Sequence, residues 1–368
     1  MIISARLNVK SNKDEWEKTK VKAQVFRGVN QLSYEEIPVP NLEPDEVLVQ
    51  VRVVGLCQSD IKKIRYPLYA PPRIFGHETA GTIAAVGSQV QSWQVGQRVA
   101  VMHHIPCMRC SYCLNDNFSM CDVYKNISTT AGFNPSGGGF AEYVKVPGHI
   151  VQNGGLIPIP DEISFEEASF VEPTNCCLKA VKKAQIAPGQ TVLVTGAGPI
   201  GLMFVMLVKY FGAKAIATDL LPSRIEKALN VGADAAFDAR DPDLPGKIHA
   251  LTGGMGVDVT LLAVPSDKAF FQALECTRKG GKILFFAEFP DQVEIPINPN
   301  ILYRREIDLM GSYSSSYRLQ GLSADIVFNR RIDVQALISD RYPLQDLSAA
   351  VAQAIAPTPE TYKILIYP

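Results

Sequence analysis

Short runs of alternating apolar and polar positions mark the first part of the chain. From Val21 the segments KAQVF, LSYEEI and EVLVQVRVVG read as β-strands, rich in β-branched residues and a few residues long. Turn-forming joints at Pro38-Val-Pro40 and Asn41-Leu-Glu-Pro44-Asp separate them. The runs TAGTIAAVG, QRVAVM and FAEYVKV continue the pattern and predict a β-rich domain with long loops. Residues 1–20 are polar and Lys-rich, and read as a solvated tail or an extra edge segment.

The pattern changes after Pro173. TVLVTG (191–196) is a short apolar strand, and PIGLMFVMLVKYFGA then reads as a buried helix ending at Gly212. KAIATD (214–219) is the next strand. Ser223-Arg-Ile-Glu226 has capping-box spacing and predicts the start of a helix that stops near Gly232. VDVTLLAV, a helix from Ser266 to Gly280-Gly281, KILFFAEF and IDLMGSY extend the alternation. Apolar strands alternating with helices predict a parallel, doubly wound sheet over 174–311. The other domain, 1–173, is completed by 312–368, because the final run YKILIY needs a strand to pair with and finds one there. The fold class is thus α/β plus β.

Composition narrows the function. Hydrophobic residues make up 47 % and charged residues 20 %, as in an ordinary globular protein. The formal charge of −1 gives no bulk attraction for nucleic acid or an anionic membrane. The start, MIISARLNVKSNKDEW, lacks the apolar run of a secretory signal, and LMFVMLV (202–208) is too short to span a bilayer. The reading is a cytoplasmic protein with no nucleic-acid or membrane partner.

Gly196-Ala-Gly198-Pro199-Ile200-Gly201 matches G-x-G-x-x-G between a predicted strand and a predicted helix, with Asp219 ending the next strand. Gly196 permits the tight turn, Gly198 lets the backbone approach a pyrophosphate, and Gly201 allows close helix–strand packing. Free N–H groups at the helix start favour the phosphates. Asp219 suits adenine-ribose hydroxyls and repels a 2′-phosphate, so NAD is favoured over NADP. Arg224 is the counter-indication, since an arginine there accommodates that phosphate.

Cys107, Cys110, Cys113 and Cys121 form C-x2-C-x2-C-x7-C. In a reducing compartment such a cluster reads as a metal site in preference to disulfides. The wide last gap, with no following proline, departs from the C-x2-C-x2-C-x3-C-P of iron–sulfur proteins. Four thiolates around one zinc make a closed, structural site. A catalytic metal would need other ligands, and the candidates are Cys57 in GLCQSDIKK, His77 and Glu78 in FGHETAG, and Glu172 in FVEPTNCC.

In this order, GHE, the glycine-studded segment 81–101, the four-cysteine lobe, Glu-Pro at 172–173 and GAGPIG, the chain from about residue 22 to its end resembles the zinc-dependent medium-chain alcohol and polyol dehydrogenases. Glu172-Pro173 is similar to the sorbitol and threonine dehydrogenase branch. The resemblance implies a GroES-like catalytic domain, a Rossmann domain for NAD, two zinc ions per chain, and a homodimer or homotetramer. It implies a catalytic zinc held by Cys57, His77 and a carboxylate, with Glu78 the usual third ligand of the polyol branch and Glu172 nearby or exchanging with it. Cys176 is a lesser alternative. Ser59 matches the first hydroxyl of the family's proton relay and Asp60 an orienting residue. Lys62 departs from the histidine of C-x-S-D-x-H, so the relay beyond Ser59 stays open. It could still pass a proton outward, or bind an acidic substrate group.

The expected reaction is oxidation of a secondary alcohol, in a polyol, sugar or hydroxy-amino compound, to the ketone, with hydride passing to NAD across a domain cleft. The alternatives are a zinc-free quinone or enone reductase on the same fold and a catalytically silent NAD-binding protein. Substrate contacts are expected from the loop after Cys57, from 132–140 and from 304–318, where Arg304, Arg305 and Tyr313 lie. His103, His104, His149 and Cys276 read as structural.

Overall fold

The computed structural model describes residues 19–124 and 126–368. The N-terminal tail expected over 1–20 lies almost wholly outside the described residues. The chain divides into two compact units, 1–172 with 338–368, and 173–337.

The first unit begins with β1 (Lys20–Gly28), β2 (Gln31–Pro38) and β3 (Val47–Gly55), followed by β4 (Glu78–Val86), β5 (Arg98–Met102), β6 (Tyr143–Val146) and β7 (Leu156–Pro158). β1 and β2 form a two-stranded antiparallel ribbon. β3 carries mostly β-branched residues, and Val47, Leu48, Val49, Val53 and Val54 are fully buried in the core. β3 and β4 pair antiparallel, as do β4 and β5, with Glu78 opposite Met102. This register places the residues just beyond the strand ends, His77 and His103, side by side.

The second unit contains β8 (Thr191–Thr195), β9 (Lys214–Asp219), β10 (Ala235–Asp238), β11 (Val257–Leu262), β12 (Thr277–Phe285) and β13 (Asp308–Gly311). Its six-stranded sheet is parallel throughout, in the order β10-β9-β8-β11-β12-β13. The order reverses between β8 and β11, the switch point at which doubly wound sheets bind ligands. The helix Pro199–Tyr210 is buried at every residue from Gly201 to Val208, which is why its sequence is apolar all round.

The last two strands, β14 (Ile338–Pro343) and β15 (Lys363–Tyr367), return to the first unit. There the sheet runs β14-β15-β3-β4-β5-β7, with β6 also on β3. YKILIY therefore pairs where the sequence places it, through Leu365 opposite Gly55 and Ile366 opposite Val54.

Three details differ from the sequence reading. The helix over 222–230 begins at Pro222 with Leu221 as its N-cap and no side-chain cap, so Ser223 does not start a capping box. Proline at the first helical position fixes φ and pulls the start two residues earlier than the serine pattern suggests. The helix from Asp267 ends at Cys276, with Ser266 as its N-cap, and Gly280-Gly281 lie inside β12. Thr277 already has extended dihedrals (φ −80°, ψ 134°), so the strand takes over at once.

The third difference is that residues 312–337 stay with the second unit. Asn175 exchanges two hydrogen bonds with the backbone of Ser316. Lys179 donates to Tyr313 O at 2.6 Å and Lys183 to Gly311 O at 2.7 Å. These three residues, four apart on the helix Val171–Ala184, tie the segment after β13 to that unit.

Candidate metal and dinucleotide sites

The four-cysteine lobe folds as a set of tight turns. Met108 takes a left-handed conformation (φ 61°), as does Asp116 (φ 60°), and a short helix, Ser111–Leu114, carries Cys113. The ligand atoms of Cys107, Cys110, Cys113 and Cys121 all lie within 4.8 Å of one another. Cys107 and Cys113 Sγ are 4.0 Å apart, and Cys110 and Cys113 Sγ 3.5 Å. Thiolates at tetrahedral corners about 2.3 Å from a zinc are about 3.8 Å apart, so the set fits that ion. A disulfide needs about 2.05 Å. All eight cysteines lie among the described residues and none is in a disulfide. Backbone N–H groups of Arg109 and Cys110 pull the Cys107 thiol down to about 6, as a thiolate ligand requires.

A second cluster is open. Cys57 sits at the N-cap of the helix Gln58–Arg65, while His77 and Glu78 lead into β4. Their ligand atoms lie within 4.8 Å of one another, with His77 5 % and Glu78 1 % exposed. Asp60, fully buried, accepts from His77 Nδ1 at 3.0 Å and from Lys63 Nζ at 3.2 Å. That bond orients the ring and leaves Nε2 as the nitrogen for a metal. Burial alone would raise the Asp60 carboxyl, but His77 and Lys63 hold it well below the usual carboxylate range. Ser59 Oγ lies 3.5 Å from Cys57 Sγ, with its side chain exposed.

Two residues of this cluster have no signal in the local sequence. Lys363, on β15, forms an ion pair with Glu78 and donates to Leu56 O at 3.3 Å. Burial works against its charge, yet Glu78, Cys57 and Glu172 hold it above the usual lysine value. Lys63 is likewise held above it, against burial, by Asp60 and Cys57, and its ammonium lies 5.6 Å from the centre of the Phe75 ring. A thiol, an imidazole and a carboxylate gathered at one point are a donor set that zinc takes, so the residues fit that ion by donor type.

Glu172 is 7 % exposed and acts on Lys363, but its carboxylate is not in the three-ligand group. His149 bonds Pro106 O at 3.1 Å, and Cys276 is fully buried. Arg305 is occupied by the carbonyls of Leu274 and Thr277. Arg304 is exposed, Tyr313 is 48 % exposed, and Cys176 is half-buried.

The glycine turn follows β8, and Gly198 caps the helix Pro199–Tyr210. Gly196 has φ +86°, and a Cβ on it would lie 2.3 Å from Val264 Cγ1. A Cβ on Gly201 would lie 1.7 Å from Gly196 O, whereas a Cβ on Gly198 would meet nothing within 4 Å. The open side of Gly198 is the space a pyrophosphate needs, so the loop fits a dinucleotide. Asp219 accepts from Ala197 N at 2.7 Å and Leu221 N at 3.0 Å, and so braces the turn. Each carboxylate oxygen keeps a lone pair for a ribose hydroxyl. Gly198→Ala is expected to leave thermal stability near that of the native protein and weaken NADH binding. Gly201→Ala should lower both, by about 1–3 kcal/mol in stability, because its methyl meets backbone. Equal melting temperatures for the two variants would contradict this division.

Residues 43–161 match the alcohol dehydrogenase GroES-like domain, and residues 199–327 the zinc-binding dehydrogenase domain. A sorbitol dehydrogenase of Bacillus subtilis is 36 % identical over 305 residues, covering 81 % of this chain and 84 % of that protein. The chain belongs to the zinc-dependent medium-chain polyol dehydrogenase family. An L-idonate 5-dehydrogenase of Vitis vinifera is 31 % identical to this dehydrogenase over 296 residues, 78 % of each chain. Among solved structures, an alcohol dehydrogenase from Escherichia coli CFT073 complexed with NADH superposes with a TM-score of 0.83 at 26 % identity. It covers 95 % of this dehydrogenase and 99 % of its own chain. Among the described residues no helix of the dehydrogenase is long and apolar enough to cross a membrane.

Proposed function

We propose that this dehydrogenase oxidises a secondary hydroxyl of a polyol or sugar-like substrate to the ketone with NAD, and that Cys57, His77 and Glu78 hold the catalytic zinc. The observation that carries this reading is the gathering of those three ligand atoms within 4.8 Å of one another, with Asp60 bonded to His77 and Lys363 paired with Glu78. Glu172, acting on Lys363 from the same unit, is the carboxylate placed to exchange with Glu78. The relatives named above for sorbitol and idonate favour a polyhydroxylated substrate.

Bound there, zinc supplies Lewis acidity that makes a hydroxyl proton leave near neutral pH, and NAD takes up the hydride. Asp60 fixes the ring of His77, so that Nε2 stays aimed at the cluster. Ser59, beside Cys57, is the first acceptor for the departing proton, and Lys62 lies three residues further along the same helix. The four-cysteine lobe holds a second zinc with no free position. The chain works in the cytoplasm, where cysteines outside disulfides stay reduced, as a homodimer or homotetramer.

The test is NADH formation across a panel of polyols, sugars, cyclitols, hydroxy-amino acids and simple alcohols, with zinc content measured on the same sample. Two zinc ions per chain and turnover of a polyol are expected. One zinc per chain, or silence across the panel while NADH binds, would overturn the assignment. Asp219→Ser should raise NADP use relative to NAD on the order of tenfold or more, since it removes the charge that repels a 2′-phosphate. An unchanged ratio of kcat/KM for the two cofactors would remove Asp219 from that role.

A further inference from the structure

A column of aromatic rings runs through the first unit from the open cluster to the four-cysteine lobe. The His77 and His103 ring centres are 4.7 Å apart, those of His103 and His104 3.7 Å, and those of His104 and Tyr124 4.8 Å. His77, His103 and Tyr124 are 5 %, 8 % and 3 % exposed and His104 is half-buried, so most of the column is buried. At its far end the Tyr124 N–H donates to Cys121 O at 3.0 Å, which ties the last ring to the last cysteine of the lobe. His104 is bridged to Ser128, and His103 O accepts from Thr129 N at 3.2 Å, so the segment that leaves the lobe also braces the two middle rings.

His103 is not used by the proposed chemistry. Its Nδ1 is buried without a hydrogen-bond partner, and it is not among the three clustered ligands. A buried polar ring that makes no bond with one nitrogen costs stability, and what it does make is tilted contact with the rings of His77 and His104.

We propose that His103 and His104 are positioning residues that couple the two metal sites, so that the state of the four-cysteine lobe sets how firmly His77 is presented to the open site. The inference rests on the assignment of Cys57, His77 and Glu78 as metal ligands. His77 is held on one side by Asp60 and on one face by His103, and it can turn away from the cluster only if His103 gives way. His103 in turn is backed by His104, and His104 by Tyr124, whose place is fixed by the turn around Cys121. Loss of the lobe's metal frees that turn and removes the backing. Coupling of this kind is reciprocal, so metal at the open site also retards loss of metal from the lobe.

Cobalt at the open site reports the coupling without turnover, through its dissociation constant and its visible d–d spectrum. The proteins to compare are the native chain, Cys121→Ser, His104→Ala, the double variant and His104→Phe, which keeps a ring in the column. Cys121→Ser and His104→Ala are each expected to weaken cobalt binding at the open site by roughly five- to tenfold, the scale of one ring contact, and to shift the bands. The double variant should be no weaker than either alone, and His104→Phe should match the native protein. Additive losses, or a Cys121→Ser protein with native affinity and spectrum, would overturn the inference. If Cys121→Ser does not fold, equal affinities of His104→Ala and His104→Phe would overturn it in its place. A native protein that takes up no cobalt at the open site would overturn the ligand assignment and the coupling together. Uptake that is indifferent to the lobe overturns the coupling alone.

Discussion

His77→Ala is expected to lower kcat/KM for the polyol identified by the panel on the order of a thousandfold or more, while the protein keeps the zinc of its four-cysteine lobe. The magnitude is that of losing a Lewis acid worth several kcal/mol in the transition state, at a factor of ten per 1.36 kcal/mol. The selectivity follows from the structure: His77 is one of three ligands in the open cluster, and the lobe's four sulfurs come from a separate segment. Metal analysis should fall from two ions to one. Retained turnover with one zinc lost would show that the open cluster does no chemistry. Retained turnover with two would show that His77 is not a ligand.

Lys363→Met should have the largest effect on stability. Methionine nearly matches the volume of the lysine stem, so packing changes little, but Glu78 loses its buried partner. Breaking a buried pair by removing one member costs about 3–5 kcal/mol, because the remaining charge is left uncompensated. The loss should be greatest for protein stripped of metal by a chelator and smaller when zinc is bound, since the dication then balances Glu78. Urea denaturation in the two conditions measures this. The same midpoint shift with and without zinc would mean that Lys363 and the metal do not share Glu78.

The parts of this protein that were legible in its sequence are those whose information is local. The glycine turn, its strand and helix, and Asp219 lie within one βαβ stretch, and each residue's task follows from the turn it must make. The four-cysteine lobe is likewise contained in one short segment, whose four sulfurs the structure gathers. The strand–helix alternation of the second unit and the return of the final strand also follow from apolar patterning.

What stayed hidden depends on pairing between distant segments. Glu78 and Glu172 both stand as candidates in the sequence, with Glu78 the usual ligand by resemblance, and the fold gathers Glu78, which adjoins His77 at the start of β4, with the other two ligands. Lys363 appears in sequence as a lone charge in an apolar strand, an anomaly whose meaning needs the β15–β3 pairing that brings it to Glu78. His103 and His104 read as structural because the contact of His103 with His77, on which that of His104 with His103 builds, depends on the β4–β5 register. The misplaced start at Ser223 shows the opposite failure, a local pattern outvoted by the fixed dihedral of the neighbouring Pro222.

The closing of the first sheet by β15 has a consequence for how the protein is made. Everything needed to fold the second unit has been synthesised by Leu337, but Lys363 and the strand that carries it come later in the chain. The nascent chain is therefore expected to complete its nucleotide-binding half first and to hold an unbalanced carboxylate at Glu78 until β15 has been made. A product truncated before β15 would carry every metal ligand named above and still lack the ammonium that makes their burial tolerable. In the cell such fragments should be recognised as unfolded and degraded, and none should persist as a half-active enzyme.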